Sequence, residues 1–221
     1  MKIVILADSY GGPRIHKNVV EVNESETFPV ILRNMFPEHH FIVDFLSFRK
    51  ITDMPNLVNK YSDADVIVIQ AGIVDAYPRV ISHERTISAS FLNKLIRKTI
   101  RLNRAFFIKY ISSKPWTSIQ EFEKSIRIVK EQFKGQLIWV NIAPVNTFQN
   151  KDTPGANASI AKFNSVLNKA IIDDLLVDVH SFLLMQIDYE KYLHPIDSHL
   201  NVLGNKLYAE RIAEKLKLIL K

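Results

Sequence analysis

The chain has no cysteine among its 221 residues. This absence removes a disulfide framework, thiolate metal sites and a cysteine nucleophile together, and it fits a reducing compartment. Long apolar runs are missing too: none approaches the roughly 18 residues that span a bilayer, so no integral membrane segment is expected. The opening MKIVILADSY pairs a lysine with an apolar stretch, but Ile3 to Ala7 falls short of the roughly 7–15 residues of a signal-peptide core, and Asp8 interrupts it. A cytoplasmic location is expected. Glycine-rich phosphate loops are absent as well. No G-x-G-x-x-G follows the first apolar run and no G-x-x-x-x-G-K-[ST] occurs, which argues against a nucleotide-binding fold. There is no H-E-x-x-H. His16, His83, His180 and His194 are scattered, and the adjacent His39 and His40 would face opposite sides of a strand. Neither a metal nor another cofactor is expected.

What the chain does have is a modest basic excess, 29 Lys plus Arg against 23 Asp plus Glu, a net charge of +6. Such an excess attracts anionic partners. The charged fraction of 24% is ordinary, however, and no nucleic-acid partner is expected. The length suits a single domain over residues 1–221, large enough to bury about 70% of the unfolded chain's surface. No repeat or low-complexity linker divides it. Nothing in the sequence speaks to oligomeric state.

Apolar runs of strand length alternate with segments of helical period. Strands are expected near residues 2–6, 40–46, 65–70, 137–142 and 176–179. The third, within ADVIVIQAG, is almost continuously apolar, as suits a strand covered on both faces. A helix is expected after Asn23, whose spacing from Glu26 is that of a capping box. Others are expected from about Thr86 to Arg104, over Thr117–Gly135 with Gly135 as its C-cap, over the run NASIAKFNSVLNKAII, and over NVLGNKLYAERIAEKLKLIL at the C-terminal end. The segment AFFIKYISSKPW has no clear assignment. On the Thr86–Arg104 helix, Lys94, Arg97, Lys98, Arg101 and Arg104 form a basic face opposite Leu92, Leu95, Ile96 and Ile100. It reads as a solvated outer face or as a surface for an anionic partner. The alternation predicts an α/β fold with a parallel sheet and right-handed crossovers.

Ligands of open α/β sheets bind at the carboxyl ends of the strands. Three expected ends carry polar groups: Asp8-Ser9, Gly72 to Arg79, and Asn141 to Asn146. Asp197 and His199 stand just before the last helix. Taken singly, Asp-Ser after a strand is a turn and Asp-x-His before a helix is a cap. Taken together, a serine, a histidine and a carboxylate can form a nucleophile, its base and the orienter of that base.

These residues resemble the SGNH or GDSL hydrolases. Ala7-Asp8-Ser9 is similar to that family's first block, Gly72-Ile73-Val74-Asp75 to its third, and DSHLNVLGNKLYAERI to its fifth. The resemblance implies a three-layer α/β/α sandwich with a five-stranded, flavodoxin-like parallel sheet. It implies Ser9 as nucleophile, His199 as general base and Asp197 as orienter, with the backbone N–H groups of Ser9 and Gly72 in the oxyanion hole. Gly11 and Gly12 are then read as letting the chain turn away from Ser9.

Three positions depart from the family pattern. Asp-x-His replaces Asp-x-x-His, and Val74 stands where an oxyanion-hole asparagine is usual. The second-block glycine is missing from FLSFRK, which leaves a backbone N–H of Ser47, Phe48 or Arg49 to serve. Arg79 and Asn146 are the expected substitutes for the asparagine. Asp8, Arg14, Arg49, Asp75 and Asn146 are expected to contact substrate. The implied chemistry is serine-dependent cleavage of a small or carbohydrate-linked acyl ester, a class favoured by the polar residues Tyr77, Arg79 and Trp116. Transfer of the acyl group to a sugar hydroxyl, and a non-catalytic binding role in which the arginines cradle an anionic sugar, remain open.

Overall fold

A computed structural model of the chain describes residues 1–16, 19–82, 86, 90–111, 113–171 and 175–220. Five parallel strands form its central sheet: β1 (Lys2–Ala7), β4 (His40–Phe45), β5 (Val66–Gln70), β6 (Gln136–Val140) and β7 (Leu176–Val177). Their order is β4-β1-β5-β6-β7. The register pairs Ala7 with both Phe45 and Gln70, so the carboxyl ends of three adjacent strands finish level. The winding direction reverses between β1 and β5, where an open sheet leaves a crevice. β5 is buried along its whole length, as its unbroken apolar run requires of a strand covered on both faces.

One face is covered by α1 (Phe28–Met35) packed on α10 (Val202–Ile219), and the other by α2 (Met54–Lys60), α6 (Ile119–Gln132) and α8 (Ala156–Ala170). α6 starts where its sequence dictates. Ser118 Oγ accepts from the Glu121 N–H at 3.2 Å, and Glu121 returns a carboxylate to the Ser118 N–H at 2.9 Å. Phe122, Ile126 and Val129 then recur at helical spacing and are fully buried. The remaining helices are α3 (Ile73–Ala76), α4 (Phe91–Leu102), α5 (Arg104–Tyr110), α7 (Thr147–Asp152) and α9 (Val179–Leu184). No helix among the described residues is long and apolar enough to cross a membrane.

The sequence expectations need correction in five places. An antiparallel hairpin, β2 (Arg14–His16) with β3 (Val19–Val22), occupies a stretch for which no element was expected. The Asn23 N–H does bond Glu26 at 2.8 Å, but this closes a short 3-10 turn; α1 starts after Thr27, with Pro29 in its first turn, where its missing N–H costs nothing. The helix expected from Thr86 to Arg104 is α4 from Phe91 to Leu102, with its residues 87–89 outside the described residues, and α5 takes Arg104 and the start of the unassigned segment. Leu92 and Leu95 on α4 are more than half exposed, and Ile96 and Ile100 are only partly buried, so the face opposite the lysines is incompletely covered. Gly135 is not the C-cap of α6, which is Phe133; a Cβ on Gly135 would lie 2.5 Å from the Asp65 carbonyl oxygen, so close backbone approach is what that position requires. Finally, β7 has two residues, because Asp178 accepts from the Ser181 N–H and starts α9.

Candidate active site

Directly after β1, Asp8 Oδ1 accepts the Tyr10 N–H at 3.0 Å and caps a single 3-10 turn, Ser9–Gly11. The turn lifts Ser9 into the crevice beyond the strand ends while Asp8 stays fully buried beneath it. Gly11 and Gly12 have negative φ. Their role is close approach: a Cβ on Gly11 would lie 2.5 Å from that of Ala7, and one on Gly12 would lie 2.5 Å from the Phe45 ring. The chain can turn away from Ser9 here because neither position carries a side chain.

His199 approaches from the other end of the chain. The segment 194–199 is closed by the His194 N–H donating to the His199 carbonyl at 2.7 Å and by a bridge between Leu193 and Leu200. Its carbonyls are held on several sides. Asn146 Nδ2 donates to His194 at 2.6 Å and Asp197 at 3.2 Å, Gln149 Nε2 donates to Ile196 at 2.8 Å, and the Tyr10 hydroxyl donates to Ser198. Asn201 caps α10 through the Gly204 N–H at 3.0 Å. Such outer bonds fix a functional side chain on rigid elements.

Gly204 makes that junction possible. A Cβ there would sit 2.1 Å from the Tyr192 carbonyl oxygen and 3.1 Å from Leu200. Gly204→Ala should therefore cost about 2–4 kcal/mol of stability, read in a denaturant melt, because backbone must move to admit it. A loss within experimental error would show that the segment before α10 yields easily.

The loop brings three side chains into line. His199 Nε2 lies 3.0 Å from Ser9 Oγ, and His199 Nδ1 lies 3.1 Å from Asp197 Oδ1, which also accepts the His199 N–H at 2.8 Å. Arg14, on β2, donates to Asp197 Oδ2. Glu21, on β3, lies 3.6 Å from Arg14 and 2.8 Å from His194 Nε2. Burial, and secondarily the Arg14 charge, pulls the His199 pKa down to about 4, so the imidazole is neutral at physiological pH. A neutral imidazole bonded this way can take a proton from a serine hydroxyl.

A cavity of about 320 Å³ opens in front of Ser9 and His199, lined also by Arg14, Phe48, Val74, Arg79 and Arg104. The Ser9 and Gly72 N–H groups have no acceptor among the described residues. Gly72 has φ +127°, and a Cβ on it would lie 2.8 Å from Ile142, so an L side chain is both strained and obstructed there. Beyond β4, the Arg49 N–H is already spent on the Leu46 carbonyl. Ser47 and Phe48 line the cavity, and Phe48 has φ +64°, the left-handed conformation that glycine adopts without strain.

Four residues expected to contact substrate lie elsewhere. Arg49 is buried and donates to the Ala7 carbonyl at 3.0 Å and to Asp44, tying β1 to β4. Asp75 is fully buried and accepts from the Ile51 N–H at 2.9 Å and the Thr117 hydroxyl. Asn146 holds the His199 loop and points no amide into the cavity. Asp8 lies behind the nucleophile turn. Burial pushes Asp8 up to about 6 and Asp75 up to about 7, as interior carboxyl groups behave. Arg14 and Arg79 do line the cavity. Sequence reasoning missed Glu21, His194 and the cavity position of Arg104, whose signals were a hairpin left without an assignment, a histidine with no motif, and a basic helix face. His83 lies outside the described residues.

No family model matches the chain, and no curated protein is similar to it in sequence. Solved structures are similar in fold. A lipase/acylhydrolase from Enterococcus faecalis has a TM-score of 0.66 at 13% identity, over 98% of this chain and 95% of that one. A member of the lipolytic protein G-D-S-L family from Veillonella parvula has a TM-score of 0.59 at 12% identity, over 96% of each chain. A catalytic mutant of an acetylxylan esterase from Geobacillus stearothermophilus has a TM-score of 0.61 at 13% identity, over 97% of this chain and 93% of that one.

Proposed function

We propose, starting from the SGNH-hydrolase fold of this chain, that it is a divergent member of that family and a serine-dependent acyl-ester hydrolase. The observation that carries the reading is the line from Asp197 Oδ1 through His199 to Ser9 Oγ, with links of 3.1 and 3.0 Å, at the switch point of the sheet. Neighbours of the same fold described as a lipase/acylhydrolase and as an acetylxylan esterase support it.

In this reading Ser9 Oγ attacks the ester carbonyl carbon and its proton passes to His199 Nε2. Asp197 holds the tautomer with the proton on Nδ1 and stabilises the imidazolium that forms. The carbonyl oxygen, now negative, accepts from the Ser9 and Gly72 N–H groups and from a backbone N–H at Ser47 or Phe48, since Val74 donates nothing. Collapse of the tetrahedral species breaks the bond to the alcohol, which leaves with the His199 proton. Water, deprotonated by the same imidazole, then attacks the acyl-Ser9, and the acid and free serine are released.

The cavity suits a short acyl group or an acyl ester on a sugar. The test is covalent. A fluorophosphonate probe should label Ser9 stoichiometrically, and 4-nitrophenyl acetate should be hydrolysed with an initial burst if deacylation is the slower step. An inert Ser9 with no hydrolysis would return the fold to a binding role. Products with a sugar acceptor added would separate transfer from hydrolysis, because the first half-reaction is common to both.

A further inference from the structure

Two arginines that line the cavity have no partner commensurate with their charge among the described residues. The Arg79 guanidinium stacks over the Trp116 ring at 4.3 Å and stands 5.2 Å from the Tyr77 ring centroid. Arg104, at the start of α5, stands 5.0 Å from the same tyrosine ring. Arg79 Nε and Arg104 Nη2 are buried and make no hydrogen bond among the described residues. The one carboxylate paired with either among the described residues is Asp152, 3.8 Å from Arg104 Nε, beyond hydrogen-bond distance. Arg14, the third arginine of the cavity, is already engaged with Asp197 and Glu21.

Two neighbouring cations with orphaned, buried donors repel each other and forfeit hydration. The strain shows on Arg79, whose pKa is drawn down to about 10 by burial and by the nearby Arg104 charge. The backbone nevertheless pins Arg79 in place, through reciprocal 3.1 Å bonds with Lys114. The Tyr77 hydroxyl is spent on Gln149 Oε1 at 2.6 Å, so the ring that both guanidinium groups adjoin is fixed as well. Planar guanidinium groups held in this way match the oxygens of a carboxylate or phosphate.

We infer that Arg79 and Arg104 form an anion subsite, and that the ester cleaved at Ser9 carries a carboxylate or phosphate group that docks there. The inference rests on the ester-hydrolase reading for its substrate and on the arginines alone for its anion. Arg79 then acts as a substrate clamp rather than as a donor to the oxyanion. The charges bearing on Arg79 are Arg104 and Tyr77, whereas those bearing on His199 are Arg14, Asp8 and Glu21.

The experiment has two arms. In the first, 4-acetoxybenzoate and 4-acetoxyphenyl phosphate are compared with the neutral methyl 4-acetoxybenzoate. The anionic esters should have a kcat/KM at least about tenfold higher, a preference that shrinks with added salt, because charge-assisted contacts to Arg are strong but screened. Arg79→Gln or Arg104→Gln should bring the ratio close to one, chiefly through KM. Equal kcat/KM for charged and neutral esters in the unaltered protein overturns the subsite. In the second arm, fluorescence of Trp116 is titrated with benzoate and with phenyl phosphate in Ser9→Ala protein, so that no cleavage is needed. A saturable change abolished by Arg79→Gln supports the subsite, and the tighter of the two probes identifies the anion. No response to either overturns it. Saturable binding without cleavage of any ester leaves the anion subsite standing and removes the hydrolase reading.

Discussion

Ser9→Ala should lower ester cleavage by about 10⁴- to 10⁶-fold and abolish fluorophosphonate labelling, because the group that becomes acylated is gone. His199→Ala should cost a similar factor. The double variant should cost scarcely more than either alone, since the two side chains act as one proton-transfer unit. Stability should stay within about 0.5 kcal/mol for Ser9→Ala, as expected of a side chain at a loop surface. The pH profile tests the same unit from another side. His199 must be neutral to accept the serine proton, so kcat/KM falls as pH drops through its pKa. Burial and Arg14 put that value near 4. The protein should therefore keep nearly full kcat/KM at about pH 5.5, where an unperturbed histidine, with a pKa of about 6.5, would be mostly protonated. A midpoint near 6.5 would mean that the imidazole is more hydrated than its position beside Arg14 implies.

The fold was legible because each expected strand carries a short apolar run closed by a polar residue, and burial on both faces writes that pattern directly into the sequence. Ser9, Asp197 and His199 were legible for a related reason: each stands at an element boundary, where its type is not set by packing. The rest of the site depends on pairings between distant segments. Nothing in Val19 to Val22 announces that Glu21 will face His194, since the hairpin is fixed by contact with the loop before α10. Arg49 shows the converse. An arginine after a strand resembles a substrate cradle, yet here it satisfies the carbonyls at the carboxyl ends of β1 and β4. Charge is readable from sequence; the direction a guanidinium takes is decided by which carbonyls the fold leaves unpaired. Arg79 and Arg104 belong to different segments, and only the fold brings both beside the Tyr77 ring.

Asp197→Asn should lower kcat by about 10³- to 10⁴-fold, the scale at which loss of the correct histidine tautomer is felt in a serine triad. The geometry here adds a sharper expectation. Asp197 Oδ1 accepts two donors from His199, and Oδ2 accepts one from Arg14. An asparagine can satisfy only one side. With its oxygen toward His199, the amide NH₂ meets the Arg14 guanidinium, which has no acceptor to offer. With its oxygen toward Arg14, the NH₂ meets the His199 N–H and drives the ring toward the tautomer that donates to Ser9 instead of accepting from it. Removing Arg14 lifts the conflict. Arg14→Gln should therefore restore part of the activity of Asp197→Asn, although in the unaltered protein the same change removes an ion pair from the orienting carboxylate and lowers activity. Such a reversal of sign between backgrounds is the signature of two residues sharing one acceptor, and kcat for the four proteins measures it. Losses that simply add across the cycle would show that Arg14 and Asp197 act independently, and would place the Arg14 contact outside the machinery that sets the tautomer of His199.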